Sequence, residues 1–93
     1  MTFRTYTVVC DFAGGTYVSQ FEGNDTVHVA RQWAAMLESK LPIPRSSVQI
    51  GTQLACYLND GDQPIALEGL RNVWQAGGKV HGNFWTMTIV NTA

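Results

Sequence analysis

Two cysteines, Cys10 and Cys56, and two histidines, His28 and His81, are the residues of this chain whose types could hold zinc or make a nucleophile. Zinc sites pair ligands closely, as C-x-x-C or H-x-x-x-H, and no pair here has that spacing. A thiolate with a histidine base needs no closeness in sequence. Cys10, however, falls on the apolar face of an alternating run, where a thiolate is disfavoured. Both cysteines therefore read as small buried hydrophobes. His28 is expected on an exposed helix face and His81 in a turn.

Gly77-Gly78-Lys79 invites a phosphate-loop reading. The pattern G-x-x-x-x-G-K-[ST] fails at both outer positions, where Val73 and Val80 stand for glycine and hydroxyl. Asn59-Asp60-Gly61-Asp62 suggests a calcium loop, but aligning Gly61 with the invariant glycine puts Cys56 and Leu58 at oxygen-donor positions. Only Glu68 falls near the final carboxylate position. These tests leave no metal, no cofactor and no catalytic residue to expect. Asp11 is the more unusual carboxylate, since acids are depleted in strands. It can accept hydrogen bonds from Thr16 or from the turn backbone. A ligand site built on Asp11 with Tyr17 and Gln20 is the alternative. A closed pocket lined by Asp11, Tyr17 and Trp74 would favour it; an exposed flat apolar patch would favour a protein partner.

The elements that must position these residues follow from periodicity. Residues 3–12 alternate, with Tyr6, Val8, Cys10 and Phe12 on one face and Thr5, Thr7, Val9 and Asp11 on the other. Gly14-Gly15 is expected to make a tight turn into a return strand over 16–22, which carries Tyr17, Ser19 and Phe21 on one side. Asn24 or Asp25 can cap a helix over 26–40, where Val29, Trp33 and Leu37 recur every four residues. Pro42 ends it by pushing Leu41 out of helical geometry. Ser46 or Ser47 can cap a second helix over 47–59, with Ile50, Leu54, Tyr57 and Leu58 at helical spacing. A strand over 53–58 competes with that reading. Gly51 weakens the helix by roughly 1 kcal/mol relative to alanine, and Gly61 suits its C-terminal end.

Pro64 to Gly69 reads as a loop that packs Ile65 and Leu67. Leu70–Trp74 and Lys79-Val80 read as one strand broken by a bulge at Gly77-Gly78. His81-Gly82-Asn83 is a turn, and Phe84–Asn91 alternates with Trp85, Met87 and Ile89 on one face. Trp33 and Trp85 fit core faces, whereas Trp74 suits either core or an exposed interface anchor. The expectation is a single α+β domain over 1–93 in the order ββααββ. An antiparallel sheet of four strands would carry both helices on one face.

The chain has 93 residues, of which 45% are hydrophobic and only 14% charged, with a formal net charge of −1. That size supports one modest core without staples. Its six basic residues, Arg4, Arg31, Lys40, Arg45, Arg71 and Lys79, are scattered. Nucleic-acid binding draws on clustered cations and is not expected, nor is attraction to a membrane surface. No apolar run approaches a membrane span. Asp11 and Gly14 interrupt the first apolar stretch, so no signal peptide is read there and a cytoplasmic location is expected.

Asp11-Phe12-Ala13-Gly14-Gly15-Thr16-Tyr17-Val18-Ser19-Gln20, together with Trp33 and the late Asn72-Val73-Trp74, resembles a family of short uncharacterised bacterial proteins. Its members carry an acidic residue and Phe, a Gly-Gly-Thr-Tyr turn, Ser-Gln, a tryptophan in the first helix and Asn-Val-Trp. The likeness covers both ends and the first helix; residues 43–63 carry no match. It implies a bacterial origin and a shared fold. Small neutral bacterial α+β proteins of this kind look similar to immunity proteins of toxin–antitoxin pairs, which implies a protein partner, a toxin to be neutralised. The expected function is protein binding without catalysis, with contacts from Trp74 or from the acidic residues Asp60, Asp62 and Glu68. A dimer joined through a sheet edge is a further alternative.

Overall fold

A computed structural model describes residues 4–92; the expected start of the first strand, at Phe3, lies outside them. β1 (Arg4–Phe12) buries Tyr6, Val8, Cys10 and Phe12 on one side, as its alternation demands. β2 (Gly15–Gly23) returns antiparallel, with Phe12 opposite Gly15. The two-residue turn is therefore Ala13-Gly14, one position earlier than expected. Both residues have positive φ, 48° and 82°, as a type I′ turn requires. Gly15 leaves room for the Tyr17 ring: a Cβ there would stand 2.6 Å from its hydroxyl oxygen, so a larger residue would make that ring move.

α1 (Thr26–Lys40) starts at Asp25, whose Oδ1 accepts from the His28 N–H at 2.8 Å. It ends on Leu41 in the left-handed region, immediately before Pro42. α2 (Ser47–Asn59) is a helix throughout, so the competing strand over 53–58 is absent. Gly51 sits where α2 crosses α1, and a Cβ there would lie 3.0 Å from the Ala34 carbonyl oxygen. Beyond Gly61 come β3 (Ile65–Ala66), β4 (Val73–Val80) and β5 (Asn83–Asn91).

All pairings are antiparallel, in a five-stranded sheet ordered β2-β1-β5-β4-β3. This corrects the four-stranded ββααββ expectation; the element order is ββααβββ. The added strand spans two residues, too few for an alternation to register, and Ile65 is exposed rather than packed. A second correction concerns Gly77-Gly78. β4 pairs with β5 residue for residue from Val73 to Val80, without a bulge. The glycines make room: a Cβ on Gly77 would stand 2.8 Å from the Trp85 carbonyl oxygen, and one on Gly78 would overlap Gln53 Oε1. Leu70–Asn72 is a connection, not strand, and Asn72 has φ 61°.

A single core cluster joins the inner sheet face to Val29, Ala30, Trp33 and Leu37 of α1 and to Ile50, Leu54 and Leu58 of α2. Trp33 and Trp85 are both buried, as expected, with ring centroids 6.3 Å apart. The Trp85 indole donates from Nε1 to Gln53 Oε1 at 2.6 Å, while Gln53 Nε2 donates to the Lys79 carbonyl oxygen at 3.0 Å. No helix among the described residues is long and apolar enough to cross a membrane.

Candidate functional site

With both helices on one side, no element among the described residues covers the opposite face of the sheet. Strand parity and register place its side chains in rows. One row runs Val18, Val9, Thr88, Gln75 and Ile65 across all five strands. The rows beside it hold Gln20, Thr7, Val90 and Val73 on one side, and Thr16, Asp11 and Thr86 on the other. Val18 and Ile65 are exposed by 63% and 68%, and Phe84, farther along, by 75%. The result is an open, largely uncharged surface of threonine and branched aliphatics. Its polar groups bond among themselves: Gln20 Nε2 donates to Thr7 Oγ1 at 3.0 Å, and Gln75 Nε2 to Thr88 Oγ1 at 3.3 Å. Lys79 Nζ lies 5.3 Å from the Phe84 ring centroid, so its charge rests on an aromatic face.

The edge of this surface at β2 carries a distinct signal. Pairing across a two-residue turn makes Phe12 and Gly15 a hydrogen-bonded pair, so Tyr17, Ser19 and Phe21 also direct their backbone groups toward β1. The backbone groups of Thr16, Val18, Gln20 and Glu22 must then point to the free edge. The Glu22 carbonyl does so and is met there by Gln32 Nε2 at 2.8 Å. Among the described residues no strand pairs with that edge. From Thr16 to Phe21 it contains no lysine, proline or bulge, the devices that normally blunt an exposed edge.

Measured against this geometry, the expected site residues divide. Asp11 and Gln20 share the open face, but Tyr17 lies on the helix side of β2, so the three do not converge. The Asp11 carboxylate accepts from Thr16 Oγ1 at 2.8 Å, the local bond its position beside the turn allows. Trp74 also lies on the helix side, half-buried, with its ring centroid 6.2 Å from that of Tyr6 at 60°. Asp11 therefore lines no common pocket with Tyr17 and Trp74. Asp60 caps the C-terminal end of α2, and Asp62 and Glu68 precede and follow β3; all three are exposed.

Cys10 is buried, and burial together with the neighbouring Asp11 carboxylate pushes its thiol up to about 12. Cys56 is exposed, contrary to the buried reading, because it falls on the solvent side of α2. His28 is half-buried rather than exposed, and its Nδ1 accepts from the Asn24 N–H at 3.2 Å at the start of α1. Among the described residues no three of His, Cys, Asp or Glu gather as metal ligands would.

Comparison with known protein families, curated proteins and solved structures returns no match. The site is therefore argued from its own geometry. The open face was partly visible in sequence as the Thr5, Thr7, Val9 and Asp11 side of β1. The β2 edge was not, because which strand ends a sheet depends on pairing between distant segments.

Proposed function

We propose that this chain is a non-catalytic protein-binding domain whose partner adds to the sheet at β2 and rests on the open face beside it. The observation that carries the reading is the free, unblunted edge from Thr16 to Phe21. Backbone donors and acceptors at a fixed strand spacing recognise another strand and little else. The flanking Val18, Val9, Thr7 and Thr16 side chains supply a neutral surface that opposes no charge on an incoming chain. Strand addition moves the expected contacts away from Trp74, whose ring is engaged with Tyr6. Asp60, Asp62 and Glu68 stand at the opposite end of the sheet, around β3, as a secondary acidic flank. A toxin neutralised by the bound domain is the case that the likeness to immunity proteins suggests.

A second copy of this chain is the other occupant that a specific observation favours. An antiparallel pair of β2 strands about a twofold axis at Val18 sets Thr16 opposite Gln20 of the other copy and Val18 opposite Val18. No charged side chain meets a like charge in that register. Val18→Pro separates edge pairing from folding, since it removes an N–H that serves no bond among the described residues. It should melt within a few degrees of the parent and lose the captured partner. Retention of the partner by a folded Val18→Pro variant would overturn the proposed edge.

A further inference from the structure

β3 stops short of a stretch of β4 that is free to continue the pairing. The register runs from Leu67, whose N–H donates to the Val73 carbonyl oxygen at 3.0 Å, through Ala66 opposite Trp74 to Ile65 opposite Gln75. Carried on, it sets Pro64 opposite Ala76 and Gln63 opposite Gly77. The β4–β5 hairpin closes on Val80 and Asn83 across His81-Gly82, both at positive φ. Val80, Gly78, Ala76 and Trp74 therefore turn their backbone groups toward β5, while Lys79, Gly77, Gln75 and Val73 turn theirs toward the β3 side. Val73 and Gln75 are paired with the β3 segment, and the Lys79 carbonyl accepts from Gln53. The Gly77 N–H and C=O have no partner among the described residues.

Proline does not explain the stop. In the continued register Pro64 stands where a residue's N–H points away from β4, so its missing donor costs no ladder bond. What holds Gln63 away is α2. The Tyr57 hydroxyl donates to the Gln63 carbonyl oxygen at 2.7 Å, the oxygen that the Gly77 N–H would otherwise meet. Tyr57 and Gly77 stand on walls of the same cleft, about 390 Å³ in volume, with Ile65 and Ala76 beside them and no charged residue in the lining. The Gln63 N–H has no acceptor among the described residues either. Asp62, whose N–H donates to the Tyr57 carbonyl oxygen at 3.2 Å, anchors the segment to α2 and leaves Gln63 as the residue that can turn. Moving Gln63 onto β4 breaks one neutral hydrogen bond and makes two, against the cost of straightening the chain and drying the cleft. Exchanges of that size lie close to balance.

We propose that Asp62–Pro64 is a strap that exchanges between Tyr57 and β4, and that its closure lengthens β3 back to Gln63. Closed, it covers the open stretch of edge at Gly77 and sets Pro64 on the new rim, a residue that blunts an edge against further pairing. The inference does not rest on strand addition at β2, since Gln63 and Gly77 belong to the other side of the sheet. Tyr57→Phe tests it by removing the hydroxyl and keeping the ring. In amide hydrogen exchange followed by NMR on the full chain, Gly77, measured against Gln75 in the same sample, should exchange about tenfold more slowly in the variant than in the parent. Gly77 exchange that is unchanged or faster in a folded variant would overturn the strap. Should the variant not fold, relaxation dispersion on the parent decides. Microsecond-to-millisecond exchange at both the Gln63 and Gly77 amides is then the expected result, and a flat profile at either would overturn the proposal.

Discussion

Gln53 joins three elements through one amide: it sits on α2, accepts from the Trp85 indole of β5 and donates to the Lys79 carbonyl of β4. Replacing it with alanine leaves a part-buried indole N–H without its acceptor. Gln53→Ala should therefore lower stability by about 1–3 kcal/mol in chemical denaturation, more than an exposed helix position ordinarily costs. The two cysteines predict a second contrast. A thiol probe should modify Cys56 in the folded protein at once and reach Cys10 only on unfolding. The raised Cys10 pKa also fixes a sign. The folded thiol keeps its proton to about 12, whereas an unfolded one loses it near about 8.5. Its stabilising contribution is complete below that lower value and is lost as pH rises toward the upper one. Between pH about 8.5 and 10.5 the parent should lose stability more steeply than Cys10→Ala; equal slopes would show that Cys10 does not titrate in the unfolding equilibrium.

At the scale of elements, glycines mark where sequence reading succeeds and where it stops. Alternation along β1 and β5 and the four-residue recurrence in α1 were legible because each is a local pattern imposed by one buried face. Gly51 was legible only as a helix weakener. Its reason, the Ala34 carbonyl oxygen 3.0 Å from where a Cβ would stand, belongs to the contact between two helices. Gly77 and Gly78 looked like a bulge, since glycine in a strand often marks one. Their reason lies across the sheet, in the Trp85 backbone and the Gln53 side chain. β3 escaped notice because two residues carry no period. Gly51→Ala makes the distinction measurable. On an isolated helix the change would stabilise by about 1 kcal/mol. Here the backbone oxygen of α1 must give way, so the variant should melt below the parent.

At the scale of the whole molecule, the arrangement β2-β1-β5-β4-β3 decides what the surface can do. It sets β1 beside β5 and sends the hairpin partner β2 to the rim. No local pattern encodes that placement, which is why the candidate edge was invisible before the pairing was known. The low charge that sequence composition did show now has a location, since the open face and its β2 rim are built mainly from Thr, Val and Gln. Strand addition predicts a particular hydrogen-exchange pattern. In dilute protein the amides of Tyr17, Ser19 and Phe21 should be protected by β1, while those of Thr16, Val18 and Gln20 exchange fast at the free edge. When the partner binds, or when a second copy does so at higher concentration, the three fast amides should become protected together. Light scattering distinguishes the two occupants by mass. Val18→Pro should keep the protection of Ser19 and Phe21 and prevent the gain at Thr16 and Gln20. Protection that appears instead only at Asp60, Asp62 and Glu68 would move the interface to the β3 end of the sheet.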